Sequence, residues 1–218
     1  MLNLVIKDIL VQRRTFFGAF VYLLFFIFAF QSLEGNVYTS AIVAFVYLLV
    51  MGAFAYDDKS KADIMLNSLP IKRKNIVMAK YISLFAYVVI GTVVFSVITS
   101  VISMLNISIK TYPVTVELLV SAILAISILN SISFPLMFKW GYNKARVFNM
   151  ILFLSIFFSA PLLVNFFSKP DSEFIATVVA FLKRQSDITI ISGLLSLSFI
   201  ILFISYLISL RFYKKREF

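Results

Sequence analysis

The chain has 218 residues, of which 61% are hydrophobic and only 14% charged, with a formal net charge of +10. Soluble domains run at about 45–50% apolar and about 25% charged, so a water-soluble globule is excluded. There is no cysteine and no histidine, which excludes disulfides, thiolate or His-ligated metal sites and Ser–His hydrolase arrangements.

The charges are bunched. Residues 15–33, 35–56, 81–109, 118–138, 147–168 and 188–210 contain no Asp, Glu, Lys or Arg. A helix needs about 20 apolar residues to cross the hydrocarbon core, and each run is long enough. In lipid every backbone polar group must be paired internally, so the choice lies between helices and a closed barrel. Barrel strands alternate apolar and polar residues; "VYLLFFIFAF" and "FIILFISYLISL" do not. The expected fold is an all-α integral membrane protein, one domain over 1–218 with six transmembrane helices.

The first run follows Lys7, Arg13 and Arg14, as the apolar part of a signal peptide would. It is longer than such a segment usually is, and no small-x-small cleavage site follows. It is expected to be a retained span.

Lys and Arg counts set the orientation. The N-terminal segment carries three, residues 57–80 six, 139–146 three and the tail four, sixteen in all. The alternate connections carry four, namely Lys110, Lys169, Lys183 and Arg184. The positive-inside rule places the sixteen, and both termini, in the cytoplasm. The net charge thus follows from topology. The cations are dispersed and form no nucleic-acid motif, so no nucleic-acid partner is expected.

Intramembrane charge marks ion paths and proton relays. The only acid expected near a span interior is Glu117, at the outer edge of the fourth span. An ion-coupled carrier is poorly supplied. The six glycines lie at least 17 apart, so no phosphate loop of the G-x-x-x-x-G-K-[ST] type exists. The chain is not expected to be an enzyme, and energy for transport must come from another chain. Ser83, Ser96, Thr99, Ser100 and Ser103 line span three, and Ser121, Ser127, Asn130, Ser131 and Ser133 line span four. They serve helix packing or, in a sharper reading, a weakly polar cargo lining. Pro135 and Pro161 should kink their helices or free a backbone carbonyl.

The stretch "YDDKSKADIMLNSLPIKRKNIVMAKY", residues 56–81, carries nine of the thirty charges. A short helix is expected over 58–69. Ala62, Met65, Leu66 and Leu69 share one face, with Ser60, Asp63 and Asn67 opposite and Ile64 among them. Asp57 or Asp58 fits the N-cap. Leu69 is pushed out of the α region by Pro70, and Pro70 suits the first turn of the next helix. Lys72, Arg73, Lys74 and Lys80 would then anchor the start of span three. Three readings stay open for the short helix: resting on headgroups, binding anionic lipid, or docking a cytoplasmic partner.

Asp57 or Asp58 with Lys59, then Ser68, Leu69, Pro70, Arg73, Ile76, Val77, Lys80 and Tyr81, fill a pattern that resembles type-2 ABC exporter permeases. The stretch is similar in particular to short six-span permeases of the phenol-soluble modulin exporter group. Lys72 departs from that pattern, where many members carry Ser. The resemblance implies a dimer of permease subunits working with two separate ATPase subunits that bind ATP and Mg. No cofactor belongs to this chain. It implies a coupling helix formed by Asp58, Ala62, Ile64, Met65, Leu66, Leu69, Pro70 and Arg73. It makes residues 1–14 an interfacial helix, where Leu2, Val5, Ile6 and Ile9 share a face. Residues 169–187 would be extracellular or re-entrant. The expected function is export of small amphipathic or hydrophobic peptides, or antimicrobial compounds, across a bacterial cytoplasmic membrane. A membrane immunity or sensor protein that needs no ATP is the second reading.

Overall fold

The structure is a computed structural model that describes residues 2–30, 36–105, 113–168 and 185–216. Among these residues all regular structure is helical. The short N-terminal helix α1 (Leu2–Leu10) is followed by α2 (Arg13–Ala29), bent from it by 66°. Then come α3 (Val37–Lys59), the short α4 (Ala62–Ser68) and the long α5 (Arg73–Met104). α6 (Val116–Trp140), α7 (Tyr142–Ser168) and α8 (Asp187–Lys215) complete the bundle. Four of these, α3, α5, α6 and α8, are each long and apolar enough to cross a membrane. α1 and α2 qualify as a fifth only as a bent pair. By length and composition the described helices therefore supply four or five candidate spans, against six expected. Most of residues 169–187, expected outside the cell, lie outside the described residues.

α3 is the central helix. It packs on α2, α5, α6 and α7, and 67% of its apolar window is buried against 17% for α8. Glycines let its neighbours approach. A Cβ on Gly91 of α5 would come within 2.8 Å of the Phe45 ring on α3, and one on Gly52 of α3 would meet Gln12 and Thr15 at 2.9 Å. α8 packs mainly on α6, presenting buried Ser198, Ser205 and Ser209. Small residues at such a seam allow backbones to come close where lipid offers no hydrophobic drive between helices.

Pro135 sits inside α6 and has no N–H, so the carbonyl four residues back, on Ser131, loses its helical partner. Ser205 of α8 supplies one: its Oγ donates to the Ser131 carbonyl at 2.8 Å. The same Oγ lies 2.7 Å from the Tyr81 hydroxyl of α5, which also meets Ser209 at 2.9 Å. The freed carbonyl thus fastens three helices rather than opening a polar path. Several other span hydroxyls bond back along their own helices: Ser83 to Ala79, Thr99 to Phe95, Ser121 to Leu118, Ser127 to Ile123 and Ser131 to Ile128. That is the packing role of hydroxyls in apolar helices.

The helix ends follow local chemistry. Thr115 caps α6 and Ser186 caps α8, each accepting from the backbone N–H three residues on, at 3.4 Å. Gly141 ends α6 at φ 76°, a conformation glycine adopts without Cβ strain.

Around α4 the expectations need correction. α3 runs on to Lys59, so Asp57 and Asp58 lie in its last turn rather than capping α4. The residue preceding α4 is Lys61, left-handed at φ 51° and making no side-chain cap bond. Asp57 and Asp58 stay helical because both carboxylates have partners across the bundle. α4 covers 62–68, shorter than the 58–69 expected. Leu69 is extended at ψ 155°, as a residue before proline must be. Pro70 lies in the connector, and α5 starts at Arg73 with Lys72 as N-cap, so Pro70 is not in its first turn.

Candidate functional site at the basic end of the bundle

The four basic segments meet at one end. Lys7 of α1 reaches Asp57 of α3, Asn143 of α7 donates to Asp58 at 2.5 Å, and Arg216 beyond α8 pairs with Asp63 of α4 at 3.5 Å. The segments that charge counting assigns to one side of a membrane are therefore together in space.

Two polar clusters organise this end. The first is a closed ring of alternating charge. Lys7 Nζ lies 2.9 Å from Asp8 and 2.7 Å from Asp57, and Lys80 Nζ lies 3.0 Å from Asp8 and 2.6 Å from Asp57. Two ammoniums and two carboxylates cancel. Lys80 and Asp8 are buried, with side chains 7% and 3% exposed. The Lys80 contacts are close ion pairs rather than aligned hydrogen bonds. Its Nζ also lies 5.1 Å from the centre of the Phe54 ring, within cation–π range. Gln12 extends the ring, donating to the Asp8 carbonyl and to the Tyr87 hydroxyl, both at 2.8 Å. Ser83 donates to Asp8 at 3.4 Å.

The ring gives α1 an inverted amphipathicity. Its inward side carries Asp8 and leads to Gln12, both buried, while Leu2, Ile6 and Leu10 point outward, 74%, 50% and 62% exposed. Only Val5 of the apolar set Leu2, Val5, Ile6 and Ile9 is fully buried. An outward apolar face suits a helix at a bilayer interface.

The second cluster holds α4. Ala62 and Leu66 are buried at 5% each and seat the helix. Ile64, Met65 and Leu69 project away from the protein, 52%, 56% and 47% exposed. On the polar side, Tyr213 of α8 donates to Asp63 at 3.2 Å and accepts from Asn67 at 3.1 Å. Arg73 donates from Nε to Asn67 Oδ1 at 3.0 Å. Its Nη1 reaches the carbonyls of Tyr213, Lys214 and Arg216 at 3.3, 2.8 and 3.4 Å. A guanidinium on the free carbonyls of a helix C-terminus satisfies acceptors and opposes the negative end of the helix dipole. Burial pushes the Asp63 carboxyl above its ordinary range, with Arg216 and the Tyr213 hydrogen bond working against that rise.

The expected coupling residues thus divide. Ile64, Met65 and Leu69 are presented outward. Ala62 and Leu66 seat α4, Pro70 turns the chain, Asp58 holds Asn143, and Arg73 is occupied by Asn67 and the end of α8. The space behind α4, bordered by Phe54, Asp57, Asp63, Lys80 and Arg216, is about 20 Å³, room for about one water.

The ring was missed by sequence reasoning, which counted Lys7 among the N-terminal cations, took Lys80 as an anchor of span three and saw Glu117 as the one acid near a span. Glu117 is exposed, and among the described residues the buried acid is Asp8. The available signal was an acid beside a Lys just outside the first span, with further acids at the end of the second.

A multi-pass helical bundle of long apolar helices that gathers its charged segments at one end is an integral membrane protein. The chain belongs to the ABC-2 family of transporter proteins, whose family model matches residues 3–214. It is the membrane-spanning permease subunit of an ABC exporter; such subunits are generally not catalytic themselves. Membership implies an ABC ATPase partner and a dimeric arrangement. No curated protein and no solved structure matches the chain.

Proposed function

We propose that this permease exports small amphipathic or hydrophobic peptides, or antimicrobial compounds of similar chemistry, across a bacterial cytoplasmic membrane. It resembles phenol-soluble modulin exporters in the stretch from Asp57 to Tyr81. Six crossings, with both termini and α4 in the cytoplasm, agree with the charge count and with α2, α5 and α7 leaving the basic end while α3, α6 and α8 return to it. The partner ATPase binds ATP and Mg and receives α4 as a coupling helix.

One observation carries the coupling role: Ile64 and Met65 on α4, and Leu69 just after it, are exposed although the helix is fastened from behind. An apolar cluster at that place suits an apolar groove on a partner. An outward-facing groove of about 520 Å³ between α5 and α8, lined by Met78, Ile82, Phe85, Phe199 and Phe203, supports a greasy cargo. Nucleotide binding by the ATPase shifts the bundle between two states by binding one of them better.

Co-purification tests the coupling role. The wild-type chain should retain its ATPase, and Ile64→Asp should lose it while the permease stays folded. Normal retention by Ile64→Asp would remove the coupling assignment. Full biological activity with no ATPase bound and no ATP hydrolysed would favour an immunity or sensor role. Export of labelled amphipathic peptides from proteoliposomes decides the cargo.

A further inference from the structure

α4 is joined by the chain to α3 and α5, yet its polar side chains bond to the far end of the molecule in sequence. Tyr213 is fully buried, 0% exposed. Its ring sits edge-on to Phe138 of α6 at 5.3 Å, and its hydroxyl bridges Asp63 and Asn67. Arg73 bonds Asn67 and the last carbonyls of α8 together. Arg216 reaches Asp63 and lies so close over Gly141 that a Cβ there would be 2.9 Å from its Nη2.

By contrast α3 is tied to α1 by the charge ring, which reaches α5 only at Lys80 and includes no residue of α4, whereas Arg73 at the start of α5 belongs to the α4–α8 clamp. Between α4 and α3 lies a turn with a left-handed Lys61 and no side-chain cap bond. Between α4 and α5 lies the extended Leu69 before Pro70. Both covalent links are thus short non-helical joints, while the link to α8 is a hydrogen-bonded, charge-assisted clamp on a packed aromatic. Charge-assisted bonds are the stronger kind, and discrete packed elements carry displacement between sites.

We propose that Tyr213 is a positioning residue that makes α8, and the α6 helix packed on it, the first element moved when α4 is pushed. This rests on the proposed coupling role of α4 for the source of the push, but the α4–α8 clamp itself is a property of this chain alone.

Amide hydrogen exchange on the full chain tests both parts. The variant is Tyr213→Phe, which keeps the ring and removes the hydroxyl. Tyr81→Phe is the control, because it removes an α5 hydroxyl that also bonds to α8, at Ser205 and Ser209, without touching α4. In the permease alone, Tyr213→Phe should speed exchange by about fivefold or more in both 62–68 and the last turn of α8, because both hydrogen bonds of the hydroxyl are lost. Tyr81→Phe should leave 62–68 unchanged. Equal exchange in wild type and Tyr213→Phe overturns the clamp.

In the complex with the ATPase, addition of ATP and vanadate should change exchange in 62–68 and in 207–215 of the wild type. In Tyr213→Phe the change in 62–68 should persist and the change in 207–215 should vanish. A merely structural hydroxyl would lower stability without separating the two. Persistence of both changes overturns the relay. If the wild-type chain binds no ATPase, the coupling reading of α4 fails, and the measurement on the permease alone still decides the clamp.

Discussion

The two clusters at the basic end are built from similar side chains and have opposite outcomes. In the ring, four charges from α1, α3 and α5 consume one another, and nothing is left to offer a partner. In the α4 cluster, Tyr213, Arg73 and Arg216 grip the polar side of the helix and leave Ile64, Met65 and Leu69 outside. The difference lies in geometry. Buried charges must be paired where they stand, which fixes the helices that carry them. α4 is seated by Ala62 and Leu66 and gripped through Asp63 and Asn67, so Ile64, Met65 and Leu69 are the apolar side chains left to bind with.

Breaking the ring should have the largest effect. Lys80→Met leaves Asp8 buried with Lys7 as its sole cation, and removal of one partner of a buried pair costs about 3–5 kcal/mol. Thermal unfolding in detergent should show a large drop in midpoint. Adding Asp8→Leu to that variant should recover part of the loss, because the remaining Lys7–Asp57 pair is again balanced. A double variant as unstable as the sum of its singles would show that the ring does not act as a unit.

On the other cluster, Ile64→Asp should weaken ATPase binding by about 2 kcal/mol or more, as for a central interface residue, while changing permease stability by less than about 0.5 kcal/mol. Titrated pull-down and thermal unfolding read the two quantities separately. A fall in stability matching the fall in binding would place Ile64 in the fold rather than at the interface.

Gly141→Ala should cost about 1–3 kcal/mol, since the residue holds φ 76° and the new Cβ would press on the Arg216 guanidinium. Loosened exchange at Asp63 and Asn67 in that variant would tie the strain to the clamp; an unchanged melting point would show that the turn and Arg216 relax freely.

The smallest effect concerns pH. The folded-state carboxyl of Asp63 is held above its unfolded value, so the folded chain takes up a proton at a higher pH than the unfolded one. Stability from this residue is greatest below the ordinary carboxylate range and is lost as pH rises from there through the raised folded value. Asp63→Asn should flatten that slope in unfolding midpoints collected upward from about pH 4, where model carboxyls titrate. An unaltered slope would assign it to other carboxyls.

Much of the fold was legible because membrane helices announce themselves. Charge-free runs found the long helices, although these extend past the runs where terminal charges sit at the ends, as at Arg73 and Lys215. The Pro70 break was legible through the conformation it imposes on Leu69. The α4 boundary was less so, because Asp57 and Asp58 are good caps in isolation and only their partners Lys7, Lys80 and Asn143 keep them helical.

Composition, charge spacing and proline placement by themselves determined an all-helical membrane protein with its basic segments on one side and a short amphipathic helix between the second and third long helices. These are local or one-dimensional properties, set by what each segment can bury in lipid. Only the tertiary structure decided which charges are spent. Lys7 and Lys80 look like any other membrane-side lysines until Asp8 and Asp57 are brought within 3 Å of them, and Arg73 looks free until the end of α8 folds back on it. The Lys7–Asp57, Lys80–Asp8 and Arg73–Tyr213 pairings, across 50 to 140 positions of sequence, are invisible to periodicity, because they depend on which helix faces meet.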